Sequence, residues 1–360
     1  MEAYTAKKLP EAYGELNYNF FMNELIDASS ALAVYMSKIM DSKVDSNWFL
    51  PTLQQNEALK SSMMEGTQAT LDGVLVNQLS PNEDDKNLNE ISNYFNATTL
   101  GIKMLRRGDF DDDLFLSIHK MLLSGKVRRC TDSIGAYRTK QNYIGKDNGE
   151  LIYIPPKPEY VSELMSNLID FINKEGKTLR PLIKVAIIHA QFETIHPFGD
   201  GNGRVGRILI PLYLYSQNQI QLPFFFISEA LEHDKHKYYK FLMDIRTDNK
   251  WNEWIKFFLE TVSKQCNKYI NMINEMNSLY EDTMNKVCEL IKSASAVKLV
   301  DMMFKRPVFD SKIIQEETDI SLASINRYLN ILINNDILFT DGKQRNRHFF
   351  FYDLLKLLRD

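Results

Sequence analysis

Residues 196–207 read HPFGDGNGRVGR, a string set between two segments of helical periodicity. Gly201, Asn202 and Gly203 stand at a helix start, where unpaired N–H groups and the positive end of the helix dipole make an anion site. Arg204 and Arg207, three apart, share a face of the helix that follows and can both reach that anion. Asp200 adds a hard oxygen ligand of the kind Mg²⁺ takes together with substrate phosphates. His196, just upstream, is the nearby group whose ordinary pKa suits proton abstraction near neutral pH. A polyphosphate cradle, a metal ligand and a base are the equipment of a phosphoryl or nucleotidyl transferase. The plainer alternative for the same letters is a glycine-rich turn with a surface arginine pair and a core histidine.

The string resembles the signature of the Fic (filamentation induced by cAMP) family of protein adenylyltransferases, H-x-F-x-[DE]-G-N-G-R-x-x-R, at every specified position. That family places a β-hairpin flap before the motif, and GAYRTKQNYIG (Gly135 to Gly145) followed by IYIPPKP resembles it. The resemblance extends over roughly residues 10–265. It implies a mainly α fold, a Fic helical core carrying a flap on which a target segment docks as an added strand. Docking then falls to Asn142, Tyr143, Ile144 and Gly145. The substrate it implies is ATP, with Mg²⁺ on Asp200. Gly201, Asn202 and Gly203 would steady the α-phosphate, and Arg204 and Arg207 the leaving pyrophosphate. His196 would take the proton from a Ser, Thr or Tyr hydroxyl of a protein, this chain included. Phe198 would anchor the loop in the core. Tyr238 and Tyr239, with Leu242 and Arg246, resemble the segment that closes over the base, although tyrosines on a helix face are commonly core.

Ser61 to Gly66 reads SSMMEG and resembles the family's inhibitory motif, [ST]-x-x-x-E-[GN]. By that resemblance Ser61 and Glu65 are inhibitory, with Glu65 pairing Arg207 in the place the γ-phosphate needs.

Bulk properties agree with a globular protein of two or three domains: 360 residues, 44% hydrophobic, 25% charged, net charge −4. That charge gives no whole-chain attraction to nucleic acid or anionic membrane. The longest apolar run, Ile208 to Tyr215, is far short of the ~20 residues a membrane span needs, and MEAYTAKKLP has no signal-peptide core. We therefore expect a cytoplasmic protein without a membrane partner. Three cysteines, Cys130, Cys266 and Cys288, argue against a disulfide framework or zinc site. His233 and His236 read as surface histidines, His119 and His189 as structural ones.

Periodicity predicts helices over Tyr18–Met40, Thr52–Met64, Leu88–Leu105, Asp111–Leu123, Glu159–Glu175 and Arg180–Ile195, and one or two over Trp251–Ile291. Gly66 reads as a left-handed cap and Ser80–Asn87 as a polar loop. The turn residues Gly145, Asn148-Gly149 and Pro155-Pro156 predict the hairpin in Ile134–Pro158. From Ser293 the pattern becomes helices over Ala296–Phe304, Ser311–Glu317 and Ser321–Asn334, then two β-rich pieces around Asp341-Gly342. Three helices and a wing resemble a winged helix-turn-helix domain, with Ser324, Asn326 and Arg327 on its recognition helix and Lys343, Arg345 and Arg347 at its tip. Residues 293–360 hold ten Lys/Arg against nine Asp/Glu, a weak basic footprint. DNA contact, protein docking and homodimerisation all stay open.

The resulting division is 1–105 N-terminal helical region with inhibitory helix, 106–265 Fic catalytic core, 266–292 helical linker and 293–360 winged helix-like domain. The leading expectation is a protein adenylyltransferase autoinhibited by Glu65. Its rivals are a deadenylylase, transfer of UMP or another nucleotide by the same fold, and a DNA-binding regulator whose Fic core senses ATP.

Overall fold

The structure is a computed structural model and describes residues 2–127, 133–145, 150–174, 179–343 and 347–359. Cys130, Asn148-Gly149, Glu175 and Arg345 lie outside the described residues. The elements follow in chain order: α1 Tyr18–Met40, α2 Ser46–Met64, α3 Leu71–Leu79, α4 Lys86–Leu105, α5 Asp112–Leu122, β1 Ile144–Gly145, β2 Leu151–Tyr153, α6 Val161–Asn173, α7 Pro181–Ile195, α8 Asn202–Ser216, α9 Ser228–His233, α10 Lys235–Asp248 and α11 Trp251–Ile291. Then come α12 Ser295–Lys305, β3 Val308–Phe309, α13 Ser311–Glu317, α14 Leu322–Asn334, β4 Phe339–Thr340, β5 Phe349–Phe350 and α15 Tyr352–Arg359.

The expected helices are present, several with ends shifted by one or two residues and one with a larger difference of extent. Helix α2 begins at Ser46 rather than Thr52 because Pro51 is carried inside it, at the cost of one backbone hydrogen bond. Trp251–Ile291 is one helix of 41 residues. Helices α3, α9 and α15 and strand β3 were not expected.

The chain forms two compact units, Met1–Ala33 with Lys60–Gln68 and Asp84–Cys266, and Val34–Leu59 with Ala69–Glu83 and Asn267–Asp360. In the first, α7 is the central helix, and every residue from Leu182 to Ile195 is buried. Its sequence, PLIKVAIIHAQFETI, is apolar nearly all round, as a helix enclosed on all sides must be. The one lysine among them, Lys184, is satisfied by donating from Nζ to the Ile172 carbonyl at 3.0 Å. Helices α4 and α8 approach so closely that a Cβ at Gly101 would lie 2.7 Å from Leu212. Strands β1 and β2 form the antiparallel flap hairpin, Ile144 opposite Tyr153 and Gly145 opposite Leu151, with an irregular register between them.

In the second unit Tyr35 stacks on Tyr269 at 5.2 Å, and Ser42 and Lys43 both bond Asn277. Strands β3, β5 and β4 make an antiparallel sheet in that order, beside α12, α13 and α14. Asp310 and Ser321 cap α13 and α14, accepting from Ile313 N and Ser324 N. Phe304 meets Phe351 edge-on at 5.4 Å, and Phe309 stacks on Phe349 at 5.8 Å.

Candidate active site

Helix α7 ends at His196, whose backbone is left-handed (φ 50°, ψ 60°) while its N–H still reaches the Phe192 carbonyl at 2.9 Å. A non-glycine residue stays in that region only when its surroundings hold it there. Here each carbonyl from 193 to 198 receives a donor, so the end of the helix leaves no acceptor orphaned. Arg246 Nη2 donates to Glu193 O at 3.0 Å, Tyr153 Oη to Thr194 O at 2.7 Å and Arg138 Nη2 to Ile195 O at 3.3 Å. Arg138 Nε donates to His196 O at 2.8 Å and its backbone N to Pro197 O at 2.9 Å. Asn142 and Asn202 each donate from Nδ2 to Phe198 O, at 2.7 and 2.8 Å. The donors come from the flap, from the segment leading into it, from α8 and from α10.

Phe198 is fully buried and lies flat on His119, ring centroids 3.9 Å apart. The Gly135 N–H donates to His119 Nδ1 at 3.0 Å, which leaves the Nε2 proton for the Asp200 carbonyl at 3.1 Å. His189 takes the opposite tautomer: Nδ1 donates to Gly206 O at 3.0 Å and Nε2 accepts from Tyr238 Oη at 2.9 Å. Burial pushes both down, His119 to about 4 and His189 to about 3. Both structural histidines thus touch the motif loop or the helix that follows it.

The side chain of Asn202 is committed to the loop itself. Its Oδ1 accepts from Phe198 N at 2.8 Å while its Nδ2 donates to Phe198 O. The expected role of Asn202 as a phosphate ligand is therefore left to its backbone N–H. Arg204 is buried, and its Nε and Nη1 have no hydrogen-bond partner among the described residues. Its Nη2 stands 3.6 Å from Asp200 Oδ2, which is itself buried and unpartnered among the described residues. An unspent carboxylate oxygen beside an unspent guanidinium edge, with Gly201 in the left-handed region (φ 80°), fits a hydrated cation and its phosphates.

Arg207, equally buried, is engaged along its Nε–Nη2 edge. It donates from Nε to Ser61 Oγ at 2.7 Å, and from Nη2 to Ser61 O at 3.0 Å and Glu65 Oε1 at 2.8 Å. Burial disfavours the Glu65 carboxylate, but Arg207, with Arg204 behind it, outweighs that and holds the carboxyl below its usual range. A Cβ on Gly203 would lie 2.5 Å from Glu65 Oε1, so the Glu65 carboxylate rests against the glycine turn. The end of α2 is tied down by Lys235 Nζ, which donates to Met64 O at 2.8 Å, and Thr67 bonds Glu90 at 2.8 Å.

His196 carries a side chain 19% exposed, its Nδ1 4.0 Å from Glu193 Oε2. Burial first, then Arg246 and Arg138, depress it to about 3, against the opposing pull of Glu65 and the Glu193 carbonyl. It is a neutral imidazole at physiological pH. Glu193 is pushed up to about 7 by burial, with Glu65 adding to the shift and Arg207 and Arg246 opposing it.

The flap residues Tyr143, Ile144 and Gly145 lie on or beside β1, Tyr143 with 67% exposure, and Asn142 ties the flap to the motif. The two tyrosines of α10 part company. Tyr238 is core, 1% exposed and bonded to His189, whereas Tyr239 is 43% exposed. His233 lies beside Lys264 and Asp234, and no metal-binding group of three His, Cys, Asp or Glu occurs among the described residues. Sequence reasoning missed Glu193, Arg138 and Tyr153 and gave Arg246 a different place. The available signal was Glu193 in an otherwise apolar helix and an arginine leading into a hairpin.

Residues 22–103 match the Fic/DOC family N-terminal pattern and residues 109–214 the Fic/DOC family pattern. The protein adenylyltransferase fic-1 of Caenorhabditis elegans is 38% identical over 81 residues, 22% of this chain and 15% of that protein. The protein adenylyltransferase Fic of Aedes aegypti is 28% identical over 209 residues, 56% of this chain and 37% of that one. These alignments thus span well under half the length of the curated relatives. In three dimensions the chain resembles a Fic family protein from Desulfovibrio desulfuricans, with a TM-score of 0.58, 18% identity and 98% of both chains covered, a likeness of fold. Among the described residues no helix is long and apolar enough to cross a membrane.

Proposed function

The chain belongs to the Fic/DOC family, and from that premise we propose that it transfers AMP from Mg·ATP to a protein hydroxyl and is held at rest by Glu65. One observation carries this reading: a neutral histidine stands near buried Arg204 and Asp200 atoms without hydrogen-bond partners among the described residues, and the second arginine, Arg207, is occupied by an acidic side chain. Mg²⁺, when bound at Asp200, would neutralise phosphate charge. His196, neutral at rest, accepts the proton of the incoming hydroxyl, and the negative charge of bound phosphates raises its basicity from the depressed resting value. The backbone N–H groups of Asn202 and Gly203 open α8 and face the growing charge on the α-phosphate. Arg204 supplies free donors at once, and Arg207 does so after Glu65 leaves. The flap, fastened to the loop through Arg138 and Asn142, presents the target main chain.

The C-terminal elements support a winged helix reading in their order, helix-strand-helix-helix-strand-strand. Six of their ten basic side chains pair with carboxylates, Lys298 with Asp319, Lys305 and Arg306 with Glu317, Lys312 with Glu316, Lys343 with Asp341 and Arg359 with Asp72, whereas Arg327 and Arg347 are not in these pairs. That favours protein docking over DNA contact.

The test uses [α-³²P]ATP and Mg²⁺ with wild type, Glu65→Gly and Glu65→Gly/His196→Ala. Label on protein in Glu65→Gly alone supports transfer and brake together. Label in none of them, with AMP released from an adenylylated protein, would leave the deadenylylase as the activity.

A further inference from the structure

Five carbonyls in succession, 193 to 197, are gripped by three side chains and one backbone N–H, and the grip on the first two contains a residue from outside the flap and the motif. We propose that Arg246 of α10 is a positioning residue for His196, fixing the last turn of α7 so that the imidazole presents one nitrogen, in one tautomer, to the substrate hydroxyl. The inference rests on His196 being the base of the transfer reaction above.

The geometry is specific. Arg246 Nη2 donates to Glu193 O at 3.0 Å and Nε to Thr194 Oγ1 at 3.3 Å. The face of its guanidinium lies 4.0 Å from the centre of the Tyr153 ring, whose hydroxyl takes the next carbonyl, Thr194 O, at 2.7 Å. The arginine is thereby clamped between the flap strand and the helix end, with both its planar face and its donor edge in use. Among the described residues it makes no salt bridge, so its charge is spent on the negative end of α7 rather than on a carboxylate.

The target of that charge is the turn that faces His196. Glu193 stands one turn before the histidine, its Oε2 4.0 Å from Nδ1, and that nitrogen has no hydrogen-bond partner among the described residues. Holding the Glu193 main chain therefore sets the Glu193 oxygens that lie near Nδ1. With Nδ1 turned to them and bearing the proton, Nε2 keeps the lone pair. The other charged groups around the ring are Arg138 from the segment before β1 and Glu65 from the end of α2. Arg138 grips the carbonyls of Ile195 and His196 itself, so Arg246 is what fixes Glu193 O and the Thr194 hydroxyl, beside the Tyr153 bond to Thr194 O. A guanidinium clamped in this way also keeps the imidazole neutral, in accord with its depressed pKa.

The test takes the full chain in the Glu65→Gly background with Arg246→Met, Arg246→Gln and Arg246→Lys, labelled with ¹⁵N-histidine. Long-range proton–nitrogen spectra at neutral pH report the tautomer of each of the six histidines, and His196→Ala identifies the resonances of His196. A single His196 tautomer in the parent, replaced by averaged Nδ1 and Nε2 shifts in Arg246→Met, supports the proposal. So does a fall in kcat of about tenfold or more with KM for ATP within about twofold, since positioning is lost in the transition state rather than in nucleotide binding. Arg246→Lys, which keeps charge and a donor, recovers part of kcat, and Arg246→Gln separates donors from charge should Arg246→Met not fold. An unchanged His196 tautomer in a folded neutral variant overturns the proposal. If Glu65→Gly transfers no AMP at all, the spectra still decide the role of Arg246, and only the proposed activity falls.

Discussion

Glu65 and Arg207 lie 142 residues apart in sequence and meet at 2.8 Å, with Ser61 on the same helix accepting from the same guanidinium. The arginine is 1% exposed and the glutamate 28%, so the pair sits at the wall of the cradle, not out in solvent. Because Ser61 supplies a hydroxyl acceptor and a carbonyl, and Glu65 the charge, the two should contribute unequally to the proposed brake.

Ser61→Ala removes the acceptor of Arg207 Nε and leaves the carboxylate in place. It should raise AMP transfer several-fold, and by clearly less than Glu65→Gly. A hydrogen bond to a charged group is worth about 1.5–3 kcal/mol when removed, part of which a water recovers at this edge. Initial rates of labelling from [α-³²P]ATP, taken side by side, check the order. Since Arg207 keeps the Glu65 carboxyl below its usual range, the proposed brake should hold above that range and be lost only as pH falls through the depressed value. Wild type should stay silent from pH 8 down to pH 5.

Asn202→Asp tests the loop staple rather than the cradle. The aspartate retains an acceptor for Phe198 N but sets a second oxygen against Phe198 O, where Nδ2 now donates at 2.8 Å. A repelled Phe198 carbonyl loosens the turn that positions His196, and a buried unpaired carboxylate adds its own cost. The expected result is a loss of kcat of about a hundredfold in the Glu65→Gly background, consistent with the effect of about one misplaced ångström on chemistry. Nucleotide affinity, read by calorimetry, should change far less.

Much of this was legible in sequence because the information is local. The twelve residues from His196 to Arg207 combine a helix end, a turn and a helix start, and each letter reports its own backbone state or charge. Amphipathic periods set α1 and α13 to the residue. What escaped is non-local. The donors that hold the end of α7 come from residues 138, 142, 153 and 246, which share no spacing. The commitment of the Asn202 side chain to the loop was not legible, because it depends on Phe198, four residues away, offering both an N–H and a carbonyl in the fold. Tyr238 and Tyr239 are adjacent in sequence yet point to different environments, as neighbours on a helix do.

Gly206→Ala addresses the packing behind the base. A Cβ there would lie 2.4 Å from Glu193 Oε1 and 3.2 Å from Phe192 Cδ1, in a fully enclosed part of α7 and α8. The carboxyl has little room to retreat, because Arg246 holds its main chain. Overpacking of this kind costs about 1–3 kcal/mol, and the thermal midpoint should drop by a few degrees. Activity in the Glu65→Gly background should fall with it, since the displaced group is the one nearest His196 Nδ1.

Stability should respond to pH through two opposing sets of buried groups. His119 and His189 are neutral in the fold down to about 4 and about 3, while their unfolded forms gain protons near 6.5. Their contribution is complete above about 6.5 and is lost as pH falls toward 4. Glu193 runs the other way. Burial raises it to about 7, so between the ordinary carboxylate value and 7 the unfolded chain releases a proton that the fold retains. Its contribution is therefore full at low pH and is lost as pH rises to 7. Each group changes stability by at most about 1.4 kcal/mol per pH unit, so Glu193 partly masks the histidines between pH 5 and 7. Glu193→Gln removes the mask. The difference in urea-unfolding free energy between pH 7 and pH 5 should then exceed that of wild type by roughly 1–2 kcal/mol. An identical pH dependence in the two proteins would mean that Glu193 is ionised in the fold throughout this range, and that the buried carboxyl beside His196 carries a full negative charge.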